Sequence, residues 1–511
     1  MPYTEEIKAL IEDLGSSLIY SSAYDTSWVA QLSQLDEPMG ERALEWLREH
    51  QLPDGSWGNE LVSYGHDRVI CTLASMVTLA RCGKDSDKKY VERARVGLDV
   101  AMNKLVTDIA GATVGFEMLV PDLLDTAYAL GAINRKEDLS KPRAYPVAHY
   151  YHDSPADQAQ RRQSEIIYKR LRHGKDRKIA TLLEGLINRY VTLAFSAEMA
   201  GEKETHLIDG PRLQEENGSV ACSPSATAYY ALNINRGDES ALAYLRKIAN
   251  RDWKNDGGIP EIAPFDAFEI GWSLWNLALP ENLNNDLLAL AQPQLDFLES
   301  AWTPGKGSGF AASYTPKDGD DTCLLHETLT RYGRDVDIEA VLSYEKDDHF
   351  RCYDLESDSS VGVNVHVLGT LRQAGFPVEH PSVQKVINYI KRKQLLNTFW
   401  ADKWHISPYY VTAHAIIAAA GYANDLVTNA VDWMLDTQKE NGSWGYWLPT
   451  AEETAHTLQA LFLWNRFGGK VPRDVLKRAW VGLKPIWNRR ILHSGSVKRY
   501  IPQSYLSALQ Y

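Results

Sequence analysis

One short stretch limits the fold of this 511-residue chain more than any other. Gln51-Leu-Pro-Asp-Gly-Ser-Trp-Gly58 returns as Gln438-Lys-Glu-Asn-Gly-Ser-Trp-Gly445, and a weaker copy runs Gln214-Glu-Glu-Asn-Gly-Ser-Val220. Asp or Asn followed by Gly makes a turn, and Gln and Trp can tie neighbouring helix ends together. Around these turns apolar residues recur at helical spacing, as in ERALEWLREHQL, VICTLASMVTLARCG, VPDLLDTAYALGAI, ALAYLRKIAN and PSVQKVINYIKRKQLL. Alternating strand patterns are scarce, and Gly and Pro gather between the periodic segments, in QLPDGSWG, TPGKGSG and NDGGIP. Helix pairs repeated on such turns imply an all-α chain of α/α barrels, in which inner and outer helices alternate. The length exceeds one ordinary core, so two or three domains are expected.

Charge and cysteine content exclude several functions. A net charge of −13 and a pI near 5.6 argue against nucleic acid or an anionic membrane surface as the main partner. No apolar run approaches the roughly 20 residues that span a bilayer; the stretch from Ala413 to Ala420 is short and broken by His414. The start, MPYTEEIKALIEDLG, is acidic and amphipathic, unlike a signal or transit peptide. Cys71, Cys82, Cys222, Cys323 and Cys352 are few, odd in number and never spaced CxxC, which fits a reduced, cytoplasmic protein.

The chemistry-bearing stretch is Asp318-Gly319-Asp320-Asp321, which opens a helix predicted to end near Gly333. Asp318 stands where an N-cap belongs, and Asp320 and Asp321 fall in the first turn, where carboxylates suit the helix dipole. Three crowded carboxyls cannot all ionise, so at least one is held protonated. In a dry, aromatic-lined cavity that proton could go to an alkene, a very poor base, provided hydrogen bonds stabilise the carboxylate left behind. The middle residue, Asp320, is the expected donor.

Asp318-x-Asp320-Asp321 resembles the DxDD motif of class II diterpene cyclases, the copalyl diphosphate synthase group, and the QxxDGSWG elements are similar to the repeats of terpene cyclases with α-barrel domains. Further likeness runs from residue 21 to about 500. It includes SSAYDTSWVA (21–30), GATVGFEMLVP (111–121), ENGSVACSPSATAYYAL (216–232) and GGIPEIAPFDAFEIGWSLWNL (257–277). FEI-x-WSLWNL, NVHVLG, DKWH-x-S-x-YY-x-TAH and AEETA resemble the bacterial halimadienyl (tuberculosinyl) diphosphate synthase type in particular.

The resemblance implies roles by position. Asp320 aligns with the catalytic acid, Asp318 and Asp321 with its supporting carboxyls, and Asn364 with an asparagine hydrogen-bonded to that acid. His366, two residues on, would face elsewhere on the helix and is grouped with product-determining positions. Arg189 and Arg490 match basic positions of the family suited to holding a diphosphate, and Lys403 in DKW is a third candidate. Phe195 and Glu261 stand where plant ent-copalyl diphosphate synthases have a proton-removing His–Asn dyad, so a different product is expected. The Asp320-Asp321 pair in turn departs from the DxDTT form of the halimadienyl type.

The implied architecture is a β domain of residues 1–28 plus 260–511, carrying the acid, with a γ domain of residues 29–259 inserted and no class I α domain. Asn424-Asp425-Leu-Val-Thr428-Asn-Ala-Val-Asp432 imitates a class I metal motif, but no DDxxD accompanies it; Asp347-Asp348-His-Phe-Arg351 fails at its last position. The implied reaction is protonation-initiated cyclisation of geranylgeranyl diphosphate to a bicyclic labdane-, halimane- or clerodane-type diphosphate. Mg²⁺ would assist without acting as electrophile, through ligands the sequence leaves unknown. A class I terpene synthase or a phosphatase would act downstream. The alternatives are a drimenyl diphosphate synthase using farnesyl diphosphate, and a non-catalytic α/α-toroid binding module.

Overall fold

In a computed structural model the described residues are 4–15, 19–60, 64–105, 115–133, 155–249, 256–280, 285–356 and 358–488. They are predominantly helical, and Ser21–Ser22 forms a short antiparallel pair with Ile259–Pro260. The chain divides into two compact units, Leu18–Ala263 and Met1–Ser17 with Pro264–Tyr511.

In the first unit Ala23–Ala30, Gly65–Cys82, Phe116–Ala129, the 3-10 stretch Thr192–Ala200 and Pro224–Tyr229 pack side to side in that order, and the last meets the first again. Glu37–Glu49, Lys88–Lys104, Pro155–Ile179 and Glu239–Ala249 lie outside this ring. The second unit repeats the plan. Asp266–Ala278, Gly319–Arg331, Val361–Gln373, Pro408–Ala419 and Ala451–Arg466 pack each on the next. Gln459 Nε2 donates to Asn276 Oδ1 at 2.8 Å, joining the last helix to the first. Gln292–Ala301, Glu339–Leu342, Pro381–Arg392, Asn424–Asp436 and Arg473–Asn488 form the outer layer. Both units are α/α barrels.

Burial sorts the layers. Pro408–Ala419 is buried at every position, as an inner helix walled on all sides must be, whereas Pro381–Arg392 buries one stripe, Ser382, Val383, Val386, Tyr389 and Ile390. Six of the inner helices start on a side-chain cap: Ser22, Ser223, Asp318, Ser360, Ser407 and Thr450 each accept a backbone N–H of the first turn.

The repeats are the joints between layers. Gln51 Nε2 donates to its own turn at Gly55 O and to the next outer helix at Tyr90 O, and Gln438 does the same with Gly442 O and Val475 O. The indole N–H of Trp57 reaches back to Leu47 O and that of Trp444 to Met434 O, while each Trp backbone N–H goes forward to a threonine of the next inner helix, Thr72 and Thr454. Gly55, Gly218 and Gly442 all hold φ near +85° (86°, 85° and 86°). A Cβ at any of them would lie 2.2–2.5 Å from a carbonyl oxygen of the neighbouring outer helix, so glycine is required twice over. A fourth copy escapes the sequence pattern: Gln394 bonds Thr398 O, and Trp400 bonds Ile390 O and Thr412 in the same way.

The boundary between units differs from the expected one. SAYDTSW, placed by resemblance in the unit of the DxDD acid, folds into the other unit. Its Asp25 accepts from Ser225 N, Ser27 meets Ser75, Gln31 reaches Thr78 and Thr26 takes the N–H of Ile259. Residues Thr4–Asp13 form the helix that does belong with the later half: Ile7, Leu10 and Ile11 enter that core, and Gln294 bonds Ile11 O. Asn424, Thr428 and Asp432 lie on the exposed face of an outer helix, as a chance likeness to a metal motif would. Among the described residues no helix is long and apolar enough to cross a membrane.

Candidate active site

Asp318 ends an extended approach (φ −138°, ψ 158°) and caps the Gly319–Arg331 helix. Its Oδ1 accepts the backbone N–H of Asp320 at 3.0 Å and of Asp321 at 2.8 Å, and Tyr353 OH donates to Oδ2 at 3.3 Å. Despite these donors, burial pushes the Asp318 carboxyl up to about 7, with the Asp320 charge adding to the shift. Asp321 is raised well above the carboxylate range by burial and then by Asp318 and Asp320, and its Oδ1 has no hydrogen-bond partner among the described residues. Burial first, and the neighbouring carboxylates second, thus hold the Asp318 and Asp321 carboxyls up. Asp320 is the member of the cluster with an open face, its side chain 17% exposed.

Asp320 is held by His366, the product-determining candidate expected to face elsewhere on its helix. Its Oδ1 lies 2.6 Å from Nδ1 of His366, on the adjacent inner helix Val361–Gln373. His366 Nε2 lies 2.9 Å from Nδ1 of His414, on Pro408–Ala419. Trp272 meets His366 edge to face at 4.9 Å, and Tyr410 does so at 6.3 Å. His456 completes the group, 5.1 Å from His414, its imidazole driven down to about 3 by burial. Each of the five inner helices of this unit contributes: Trp272 and Trp275, Asp320, His366, Tyr410 and His414, and His456.

Asn364 is not the partner of the acid. Its Oδ1 accepts from Phe350 N at 2.8 Å, and its Nδ2 donates to Phe350 O and Ser360 O, both at 2.9 Å. These bonds pin the loop before Val361–Gln373 to the helix. Positions 364 and 366 are about 200° apart around a helix, so only one can face Asp320, and it is His366. Both residues are buried on the same helix, and the resemblance by position pointed to the asparagine.

The basic positions divide. Lys403 Nζ pairs with the buried carboxylate of Glu356 and bonds Asp358 O at 2.5 Å, so it is committed within its own unit. Arg189 is half-buried in the other unit. Its guanidinium donates to Gln214 O and Tyr190 OH, both at 3.3 Å, and lies 5.4 Å from the Tyr190 ring centroid. Arg490 lies outside the described residues. Phe195, in Thr192–Ala200, and Glu261, just after Ile259–Pro260, are half-buried in the Leu18–Ala263 unit.

That unit holds a second buried acidic group. Tyr24 OH donates to Glu198 Oε1 at 2.8 Å, and Asp25 accepts from Ser22 Oγ and Ser225 N. Burial raises both carboxyls, Glu198 from 4.5 to about 7 and Asp25 from 3.8 to about 7. Among the described residues no group of three or more His, Cys, Asp or Glu could hold a metal ion. The 318–321 cluster fits one poorly, since Asp318 spends an oxygen on two backbone N–H groups and burial keeps Asp321 neutral.

Known proteins are similar to this chain in sequence and fold. Residues 348–459 match the squalene-hopene cyclase C-terminal domain family. A Type B diterpene cyclase of Mycobacterium tuberculosis is 38% identical over 513 residues, covering 96% of this chain and 95% of its own. The chloroplastic ent-copalyl diphosphate synthase 2 of Zea mays is 30% identical over 420 residues; the match takes in 80% of this chain but 46% of the maize protein, so this chain spans about half of that relative. The solved ent-copalyl diphosphate synthase of Streptomyces platensis superposes with a TM-score of 0.73 at 25% identity, over 100% of this chain and 99% of the other.

Proposed function

The chain belongs to the class II diterpene cyclases, and from that premise we propose that it cyclises geranylgeranyl diphosphate to a bicyclic diphosphate without cleaving the diphosphate. The observation that carries the reading is Asp320, open on one face and bonded through Oδ1 to His366. Its other oxygen, Oδ2, delivers the proton. The terminal alkene takes that proton at its less substituted carbon, leaving a tertiary cation and an Asp320 carboxylate. The next two double bonds attack in turn, closing two rings, and loss of a proton from the bicyclic cation ends the sequence. The Nδ1–H of His366 stabilises the carboxylate as it forms.

Arg189 and Arg490 are proposed to hold the diphosphate. Lys403 is less suited, because moving it to substrate would leave buried Glu356 without its ion pair. Phe195 and Glu261, in place of a His–Asn dyad, favour a product that is not ent-copalyl: a labdane, halimane or clerodane skeleton. Mg²⁺, when bound, would help neutralise the diphosphate. The product keeps its allylic diphosphate, so a class I synthase or a phosphatase must consume it.

The test is incubation with geranylgeranyl diphosphate, phosphatase treatment and mass spectrometry of the alcohols, with farnesyl diphosphate in parallel. Asp320→Asn should lose several orders of magnitude in turnover at an unchanged melting temperature. Near-native turnover by that variant would place the acid elsewhere. Preference for the C15 substrate would replace the bicyclic C20 product with a drimane.

A further inference from the structure

His366 touches a polar partner at each ring nitrogen, Asp320 Oδ1 at 2.6 Å and His414 Nδ1 at 2.9 Å. We propose that His414 is a positioning residue for the acid, accepting the Nε2–H of His366 and so keeping the Nδ1–H of His366 aimed at Asp320. The inference rests on Asp320 being the proton donor.

An imidazole that donates at both nitrogens carries positive charge. That charge best stabilises the carboxylate which appears on Asp320 as its proton leaves. If His414 could not accept, His366 would be free to rotate or to adopt the tautomer with a bare Nδ1. That nitrogen would draw the Asp320 proton toward itself instead of leaving it for the alkene. The partner must therefore be an acceptor that stays neutral. His414 is 2% exposed, and burial, reinforced by His366 and His456, pushes its imidazole well below the usual histidine range.

The surroundings of His414 show what its nitrogen is for. Its ring stacks on Trp275 (5.3 Å, 17°) and Tyr410 (4.2 Å, 28°), and Trp272 and His456 meet it edge to face, each at 5.1 Å. Its Nε2 has no hydrogen-bond partner among the described residues. In a pocket built of rings phenylalanine would pack as well and would leave no buried nitrogen unpartnered. The bond to His366 is what histidine supplies there and phenylalanine does not.

Two substitutions separate the bond from the packing. His414→Phe keeps an aromatic ring and loses the acceptor; His414→Asn loses the ring and keeps an acceptor oxygen on the atom that bore Nδ1. On the substrate the wild type turns over, H414F should lower kcat at least about tenfold with KM within about twofold, and H414N should recover most of the loss. In a His366→Leu background H414F should cost little more, because its effect runs through His366. That cycle stays decisive if H414F lowers the melting temperature, since both arms carry the same packing change. Full activity in H414F, loss in H414N alone, or additive losses in the cycle would each overturn the proposal. If the wild type turns over no prenyl diphosphate, the reading of the preceding subsection fails and takes this one with it. A working wild type with an inert D320N and an active H414F refutes the role of His414 alone.

Discussion

Replacing His366 by leucine tests the link between acid and imidazole most directly. Leucine has a similar bulk and lies against the same Trp272 and Tyr410 rings, so the perturbation is the loss of two hydrogen bonds, at 2.6 Å to Asp320 and at 2.9 Å to His414. A hydrogen bond to a charged group contributes about 1.5–3 kcal/mol. At about 1.4 kcal/mol per factor of ten in rate, its loss corresponds to a roughly 10- to 150-fold fall in kcat. That range is a lower bound, because Asp320 must then form its carboxylate with one fewer donor while His414 keeps an unpartnered nitrogen. Substrate binding should change little, since the carboxylate appears only as the proton leaves, so kcat should fall and KM hold. His366→Asn returns a neutral donor to the atom that bore Nδ1 and should recover about tenfold of the loss. The assay is single-turnover conversion followed by mass spectrometry of the dephosphorylated product, with melting temperature as the folding control. A folded H366L enzyme within about threefold of wild type would refute the argument, because Asp320 would then be acidic without its imidazole.

Other substitutions probe the rest of the structure. Asn364→Ala leaves Phe350 N, Phe350 O and Ser360 O unpaired, at about 1–3 kcal/mol for each buried group; the melting temperature should drop while kcat per folded molecule stays within severalfold. Lost turnover at an unchanged melting temperature would return Asn364 to the acid. Burial raises Glu198 from 4.5 to about 7, so the folded protein keeps a proton that the unfolded chain has released, and stability present below pH 4.5 is lost as pH rises through 7. Glu198→Gln should flatten that decline by about 3 kcal/mol between those limits, and an unchanged slope of melting temperature against pH would show that Glu198 ionises freely. Rate against free Mg²⁺, from full chelation upward, should rise modestly and then fall; a strict requirement with release of inorganic diphosphate would overturn retention of that group.

Local signals explain what the sequence made legible. Turn chemistry depends on neighbouring residues, so a Gln followed three residues later by Asp-Gly-Ser or Asn-Gly-Ser announces a joint between barrel layers, and three of the joints were visible. The fourth was not, because Leu396 and Asn397 take the positive φ (51° and 55°) that Gly supplies elsewhere, and only Gln394 and Trp400 remain of the pattern. The acidic cluster was visible for a similar reason: an N-cap and a first turn are contiguous in the chain. Which side chain meets Asp320 is a different kind of question. It depends on the rotation about its axis of one helix that is buried continuously from Val361 to Leu368, and a segment buried on every side carries no polar stripe to report that rotation. Asn364 and His366 are equally buried in sequence terms, and only packing against Gly319–Arg331 distinguishes them. His414 and Trp272 sat inside motifs noticed for their likeness, yet nothing in one dimension shows that residues 272, 320, 366, 410, 414 and 456 converge. An α/α barrel produces this by design of its topology: inner helices far apart in sequence present one position each to a common interior. The chemistry of such a fold is therefore spread one or two residues per helix, and single motifs, however specific, name only the helix on which they lie.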